Sequence, residues 1–272
     1  MSFKISLAGD LGSGKSTVSK LLIARTGATY YSTGTVCRKA AAEHGMTIDE
    51  FNRYMETHPE VDKMIDDGLV ALSDSDSTLI IDSRMAFHFV RGTFRVYLTT
   101  DPRVSAERIL SDKRDGESFA SVEETARRVA ARRESENLRY FEKYGVHIMD
   151  MQNYDMVIDT TAIPPETVAE LILEGLARWQ TGATEHISYL DYRRFMSVGE
   201  ISEVAVAALA RSIDLGTPPP LPTVRELSGK YYLIRGADSV LAHKVAGSAI
   251  VPTVILPGVP DTSKGYRPLF ES

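Results

Sequence analysis

Cysteine is almost absent from this 272-residue chain. Cys37 stands alone, so no internal disulfide can form, and a reducing, cytoplasmic setting is the expectation. Long apolar runs are also lacking: none approaches the about 20 residues that cross a bilayer as a helix, which argues against a membrane partner. An apolar strand already starts at residue 3, so no signal peptide is expected. Positive charge is not in excess, since 31 Lys and Arg face 37 Asp and Glu, a net charge of −6. DNA affinity comes largely from phosphate neutralisation, so this balance argues against nucleic acid as the main partner. No internal repeat is visible. What remains is an ordinary globular composition, 43% hydrophobic, with length for one large or two modest domains.

Residues 9–16 read Gly-Asp-Leu-Gly-Ser-Gly-Lys-Ser, the pattern G-x-x-x-x-G-K-[ST] of a phosphate-binding P-loop. Gly9, Gly12 and Gly14 let the backbone curl so that successive N–H groups face phosphate oxygens. Ser13 and Thr17 complete the candidate nucleotide loop, Lys15 can reach the outer phosphates, and Ser16 can ligate Mg²⁺. The context fits a real site. Residues 3–8 read as a strand, Val18, Leu21, Leu22 and Arg25 show helical spacing after the loop, and Gly27 is a natural helix stop. A Gly-rich turn in an α/β protein is the plainer alternative.

Residues 1–181 alternate strand and helix, with strands expected at 3–8, 28–31, 78–82, 93–98 and 154–159. Thr47…Glu50 and Ser121…Glu124 have the spacing of capping boxes. Pro164-Pro165 opens a helix with Val168, Leu171, Ile172 and Leu176 on one face. The pattern implies an α/β fold with a parallel sheet covered on both faces. Residues 182–272 read as a second, small α+β domain. A Pro-rich break at 216–222 is followed by strand-like 231–234 and 250–255, with a short helix at 239–246 between them, where His243 and Lys244 are expected on the polar face.

A P-loop does not by itself name the phosphate acceptor. Thr33, Gly34 and Arg38 follow the second expected strand, at the carboxyl end where open α/β sheets bind ligands. Gly34 permits close approach, and Arg38 offers a planar fork to a phosphate. Asp82 and Arg84 end the third strand, where Asp82 can support Mg²⁺ through water and Arg84 adds a second cation. Nine cationic residues crowd into 103–139, Arg133 and Arg139 among them. An arginine-lined lid, with 112–120 as its loop, would supply the cations and water exclusion that phosphoryl transfer needs. A solvated helix laced with Glu–Arg pairs is the competing account.

These stretches, taken in order, resemble cytidylate kinase, especially its short archaeal-type branch. The resemblance rests on Gly9–Thr17, Ser32-Thr33-Gly34…Arg38, the 46–54 segment, Ile81-Asp-Ser-Arg84, 104–109, Arg133-Glu-Ser-Glu136, Arg139-Tyr140, Tyr144-Gly145 and 154–159. It implies a nucleoside monophosphate kinase fold with a five-stranded parallel sheet, and transfer of the γ-phosphoryl of Mg-ATP to CMP, dCMP or a related small acceptor. It also implies that Arg38 and Arg84 hold the acceptor phosphate while Lys15, Arg133 and Arg139 surround the transferring group. Departures fall at Ser105, where the family usually has Arg, at Ser83, where it usually has Gly, and in the bulky run 85–89. They leave open a kinase for a non-nucleotide small molecule, or a nucleotide-sensing regulatory protein.

Residues 182–272 resemble, more weakly, a ParB-like (sulfiredoxin-like) domain, through Leu221-Pro-Thr-Val224, 229–236, 242–247 and 250–254. The phosphate-binding Asp-Gly-His-His-Arg of that superfamily is replaced by Arg235-Gly-Ala-Asp-Ser239, which implies a module serving structure, homo-oligomerisation or regulation.

Overall fold

The strand that opens the chain, β1 (Lys4–Gly9), is buried at five of its six positions, which is why it reads as a continuous apolar run rather than an alternating one. The structure, a computed structural model, describes residues 2–111 and 121–270. After β1 come α1 (Lys15–Thr26), β2 (Thr29–Ser32), α2 (Thr33–Glu43), α3 (Ile48–Thr57), α4 (Pro59–Ala71), β3 (Leu79–Asp82) and α5 (Ala86–Phe89). Next are β4 (Phe94–Thr99), α6 (Pro102–Ser111), α7 (Val122–Tyr144), β5 (Met156–Asp159) and α8 (Pro165–Gln180). The remainder forms β6 (Ser188–Asp191), β7 (Phe195–Ser197), α9 (Glu203–Asp214), β8 (Thr223–Leu227), β9 (Lys230–Arg235), α10 (Ala237–Val245), β10 (Ile250–Ile255) and β11 (Arg267–Pro268).

Local chemistry sets the helix ends. Thr47 and Glu50 form a reciprocal capping box on α3, and Ser121 Oγ accepts from Glu124 N at 3.1 Å to start α7. Gly27 closes α1 in the left-handed region, its N–H donating to Ile23 O at 2.8 Å. Pro165 occupies the first turn of α8, which lays Val168, Ile172 and Leu176 against the sheet.

Parallel pairing gives the order β2-β3-β1-β4-β5, so β1 and its loop lie at the centre of this region. The expectation of a sheet of five strands needs correction. Among the described residues the sheet continues as β6-β10-β8-β9-β7-β11, eleven strands in all. The join is β6, parallel to β5 at Ile158↔Tyr189 and antiparallel to β10 from Ile250↔Asp191 to Thr253↔Ser188. An edge strand presents unpaired N–H and C=O groups, and β6 satisfies those of β5 from further along the chain.

The core follows the sheet through the join. One cluster packs Ile5, Leu7, Val96, Leu98 and Ile158 under α1 and α8. A second runs from Ala8, Tyr97 and Val157 to Phe195, Val224, Tyr231 and Val251, with no break between the first and last thirds of the chain. Met85 and Ala86 of the bulky 85–89 run are buried in a third cluster with Ile81 and Ile148. His243 differs from its expected place on a polar face. It is buried, with Nε2 lacking a hydrogen-bond partner among the described residues and its pKa lowered by burial. Lys244 is exposed, with Nζ 4.3 Å from the centre of the Phe270 ring.

Candidate active site

The P-loop pattern is realised as a loop wedged between β1 and α1. Gly9, at φ 146°, lies so close to β4 that a Cβ there would sit 2.2 Å from Leu98 O. Gly12, at φ 70°, rests on Ser105, whose carbonyl oxygen would be 2.7 Å from an added Cβ. Gly14 caps α1 in the left-handed region and Ser13 is buried, its Oγ donating to Asp10 O at 2.8 Å. Ser16 and Thr17 are exposed in the first turn of α1, where free N–H groups favour an anion.

Lys15 folds back over its own loop, Nζ donating to Gly9 O and Asp10 O at 2.8 Å each. Burial lowers its pKa to about 8. Asp82, Asp10 and Glu136 pull it up and Arg84 pushes it down, so four of the surrounding charged groups act on this ammonium.

Three residues given no role in the site from the sequence hold the loop in place. Asp10 is 8% exposed, and its carboxylate accepts from the Tyr97 hydroxyl at 2.7 Å, Thr99 Oγ1 at 2.9 Å and Thr100 N at 3.2 Å. Arg108 donates to Gly12 O at 3.3 Å and to Thr160 O at 2.8 Å, tying the loop to the end of β5. Ser105, at a departure from the family pattern, donates to Leu11 O at 2.7 Å and forms the floor under Gly12. Ser83, the other single-residue departure, is buried and accepts from Met85 N at 3.3 Å, stabilising the turn after β3.

The expected acceptor residues fall into two groups. Arg84 Nε lies 3.0 Å from Glu136 on α7, and Arg132 reaches the same carboxylate at 3.1 Å. Arg38 lies with Thr33 and Gly34 at the start of α2, donating to Thr35 Oγ1 at 3.2 Å. It shares the surroundings of Cys37 with Arg139, whose guanidinium sits 5.1 Å above the Tyr140 ring. Burial raises the Cys37 thiol pKa, assisted by Asp62 and opposed by these two arginines. Arg133 is placed elsewhere, 3.5 Å from Asp10 and donating through Nε to Met149 Sδ at 3.0 Å. The expected lid loop, 112–120, lies outside the described residues.

Asp82 receives the Tyr30 hydroxyl on Oδ2 at 2.9 Å and acts electrostatically on Lys15, which places it facing the loop. Ser16 and Asp82 are hard oxygen donors of the kind Mg²⁺ takes. Among the described residues no cluster of three or more His, Cys, Asp or Glu forms a cage for an ion. Two protein oxygens complemented by phosphates and water suit a magnesium ion that arrives with a nucleotide.

A cavity of about 440 Å³ opens beside the loop, lined by Gly9, Asp10, Arg84, Tyr97, Arg133 and Glu136, and also by Glu226 and Ser228. The 85–89 run does not line it, being turned into the core. Glu226 and Ser228 were not legible as site residues. They end β8 and turn into β9, and the one local sign is the Ser228-Gly229 dipeptide between two strand-like runs.

Residues 5–127 match the family profile described as an AAA domain. A cytidylate kinase of Archaeoglobus fulgidus is 33% identical over 174 residues, 64% of this chain and 94% of that protein. An S-adenosylmethionine-dependent nucleotide dehydratase of Lacinutrix mariniflava is 34% identical over 175 residues, 64% of this chain and 36% of that protein. A solved shikimate kinase of Aquifex aeolicus aligns at a TM-score of 0.45 and 22% identity, covering 66% of this chain and all of that one.

Proposed function

The chain belongs to the cytidylate kinase family, and from that premise we propose that it transfers the γ-phosphoryl group of Mg-ATP to CMP, dCMP or a related small acceptor. The observation that carries the reading is the convergence on one cavity of the first P-loop residues, Gly9 to Leu11, and of Arg84 and Arg133 from two other elements, with Lys15 folded back onto Gly9 O and Asp10 O beside it. The ATP phosphates dock on the N–H groups of Gly12–Thr17, Lys15 turning from its own carbonyls to the outer phosphates. Arg84 exchanges Glu136 for the acceptor phosphate, with Arg38 and Arg139 approaching from the α2 side. Arg133 neutralises charge on the moving group. Mg²⁺, held by Ser16 and Asp82, would screen the phosphate charges when bound. Catalysis is then positioning and charge neutralisation, with little demand for a strong base.

Residues 182–272 act in this reading as a ParB-like module that buttresses the kinase-like part, in a protein of the cytoplasm. No helix among the described residues is long and apolar enough to cross a membrane. The test is ADP release from Mg-ATP with CMP, dCMP, UMP, AMP, GMP and free nucleosides, with Lys15→Ala as control. Turnover with CMP or dCMP that Lys15→Ala abolishes supports the proposal, and silence across the panel rejects it.

A further inference from the structure

The cavity beside the P-loop has a wall that the kinase-like part does not supply. Glu226 and Ser228 reach it from the β8–β9 hairpin, more than 80 residues beyond α7 in sequence and anchored by long-range contacts. Arg194, in the turn before β7, donates to Gly229 O at 2.7 Å, to Asp159 Oδ2 at 2.7 Å and to Thr99 Oγ1 at 3.3 Å. The hairpin tip is thereby fixed to the carboxyl ends of β4 and β5, the strands that carry the nucleotide site.

The tip has two unusual features. Ser228 is the one non-glycine residue with positive φ, 51°, among the described residues, and Gly229 follows at 76°. Two consecutive positive φ values define a type I′ turn, whose first position ordinarily goes to Asn, Asp or Gly. A serine held there costs conformational energy, and Ser228 lines the cavity with no side-chain hydrogen bond among the described residues. Glu226 is the second feature. Two other cavity carboxylates are paired, Asp10 with Arg133 and Glu136 with Arg84, while Glu134 is exposed on α7. Glu226 accepts one backbone N–H, Gly229 N at 2.6 Å to Oε1, and forms no ion pair among the described residues. Its second oxygen is left for a ligand. Burial raises its pKa, while Arg133 and Arg194 pull it down.

Anions are served by Lys15, Arg84 and Arg133, and a carboxylate repels them. An ionised carboxylate is an acceptor only, so what it holds must be a hydrogen-bond donor. We propose that the β8–β9 hairpin tip is a specificity-determining wall of the phosphotransfer site, Glu226 accepting an amino or hydroxyl hydrogen from the neutral ring part of the acceptor and Ser228 adding a second polar contact. The proposal rests on the kinase reading above. It makes a base with an exocyclic amino group preferred over one that presents a carbonyl there.

Steady-state kinetics of the full chain with CMP and UMP, for wild type and Glu226→Gln, test it. The Gln variant keeps an oxygen for Gly229 N, so the turn survives, but its amide can also donate. The expected result is a rise of about tenfold or more in KM for CMP and a narrowing of the CMP/UMP preference by about tenfold. KM for ATP stays within about twofold, because the ATP phosphates contact other residues. Ser228→Gly, which relieves the positive φ, should leave thermal stability equal or higher while raising KM for CMP. A Glu226→Gln variant with wild-type KM and unchanged CMP/UMP preference overturns the hairpin proposal and leaves the kinase reading intact. A folded wild type that turns over neither nucleotide nor any other acceptor in the panel rejects the kinase reading and the hairpin proposal with it.

Discussion

Arg194, from the turn before β7, lies 2.7 Å from Oδ2 of Asp159 at the end of β5. Asp159 is fully buried and the Arg194 side chain is 13% exposed, so this ion pair is closed off inside the join between the two parts of the sheet. Asp159 also accepts from Thr161 N and Oγ1, and Arg194 lies 5.1 Å from the Tyr231 ring centre. Removing one partner leaves a buried charge without its counterpart. Asp159→Asn is expected to destabilise the protein by about 3–5 kcal/mol, and Arg194→Met added to it should cost less than the sum of the single changes. Urea unfolding midpoints of the single and double variants measure this.

Lys15 supplies a pH-dependent prediction. Burial holds its pKa at about 8, below the ordinary 10.5. In the ligand-free protein the folded state therefore disfavours the charged form. Stability from this group is full above 10.5 and is lost as pH falls through 8. Bound phosphates favour the ammonium and raise the pKa again. At a pH about half a unit to one unit above the ligand-free value, nucleotide binding should take up close to one proton, and Lys15→Ala should abolish that uptake. Calorimetric titration with ADP in buffers of different ionisation enthalpy reads the proton count.

Glu136 pairs with both Arg84 and Arg132. An acceptor phosphate must displace that carboxylate, so Glu136→Gln should lower KM for CMP by about threefold to tenfold, on the order of 1 kcal/mol for a partly exposed pair. Inhibition by inorganic phosphate should strengthen in parallel. Unchanged values for both would remove Arg84 from the acceptor site.

Gly12 is tested by the smallest possible side chain. At φ 70°, with a Cβ 2.7 Å from the Ser105 carbonyl oxygen, alanine must push the loop away from α6. Gly12→Ala should cost about 1–3 kcal/mol in stability and weaken ADP binding by about tenfold or more. Thermal melts with and without ADP separate the two effects.

Legibility from sequence followed the range of the interactions. The strands of the first part were readable within a residue or two because parallel strands buried on both faces are continuous apolar runs, as in Leu79–Asp82 and Phe94–Thr99. The loop was readable because Gly9, Gly12 and Lys15 perform local tasks at fixed spacing. Asp10 was not, since it occupies a variable position of the pattern and its role comes from Tyr97, Thr99 and Thr100, nearly 90 residues away. Arg108 was hidden among many arginines, and only the fold distinguishes it by aiming it at Gly12 O and Thr160 O. β6 and β7, four and three residues long, carry too little pattern to stand out, and they exist because β5 and β9 offer edges to pair with.

The single β6 strand between the two halves of the sheet also governs how the protein comes apart. Two domains joined by a flexible linker melt independently, each with its own midpoint. Here β5 pairs with β6, the cluster from Tyr97 to Tyr231 crosses the seam, and Arg194 plugs it, so the early-chain and late-chain strands should lose structure in one cooperative step. The nucleotide loop is then only as durable as the last third of the chain, and a lesion in the β8–β9 hairpin should register as thermal loss of nucleotide binding many residues upstream.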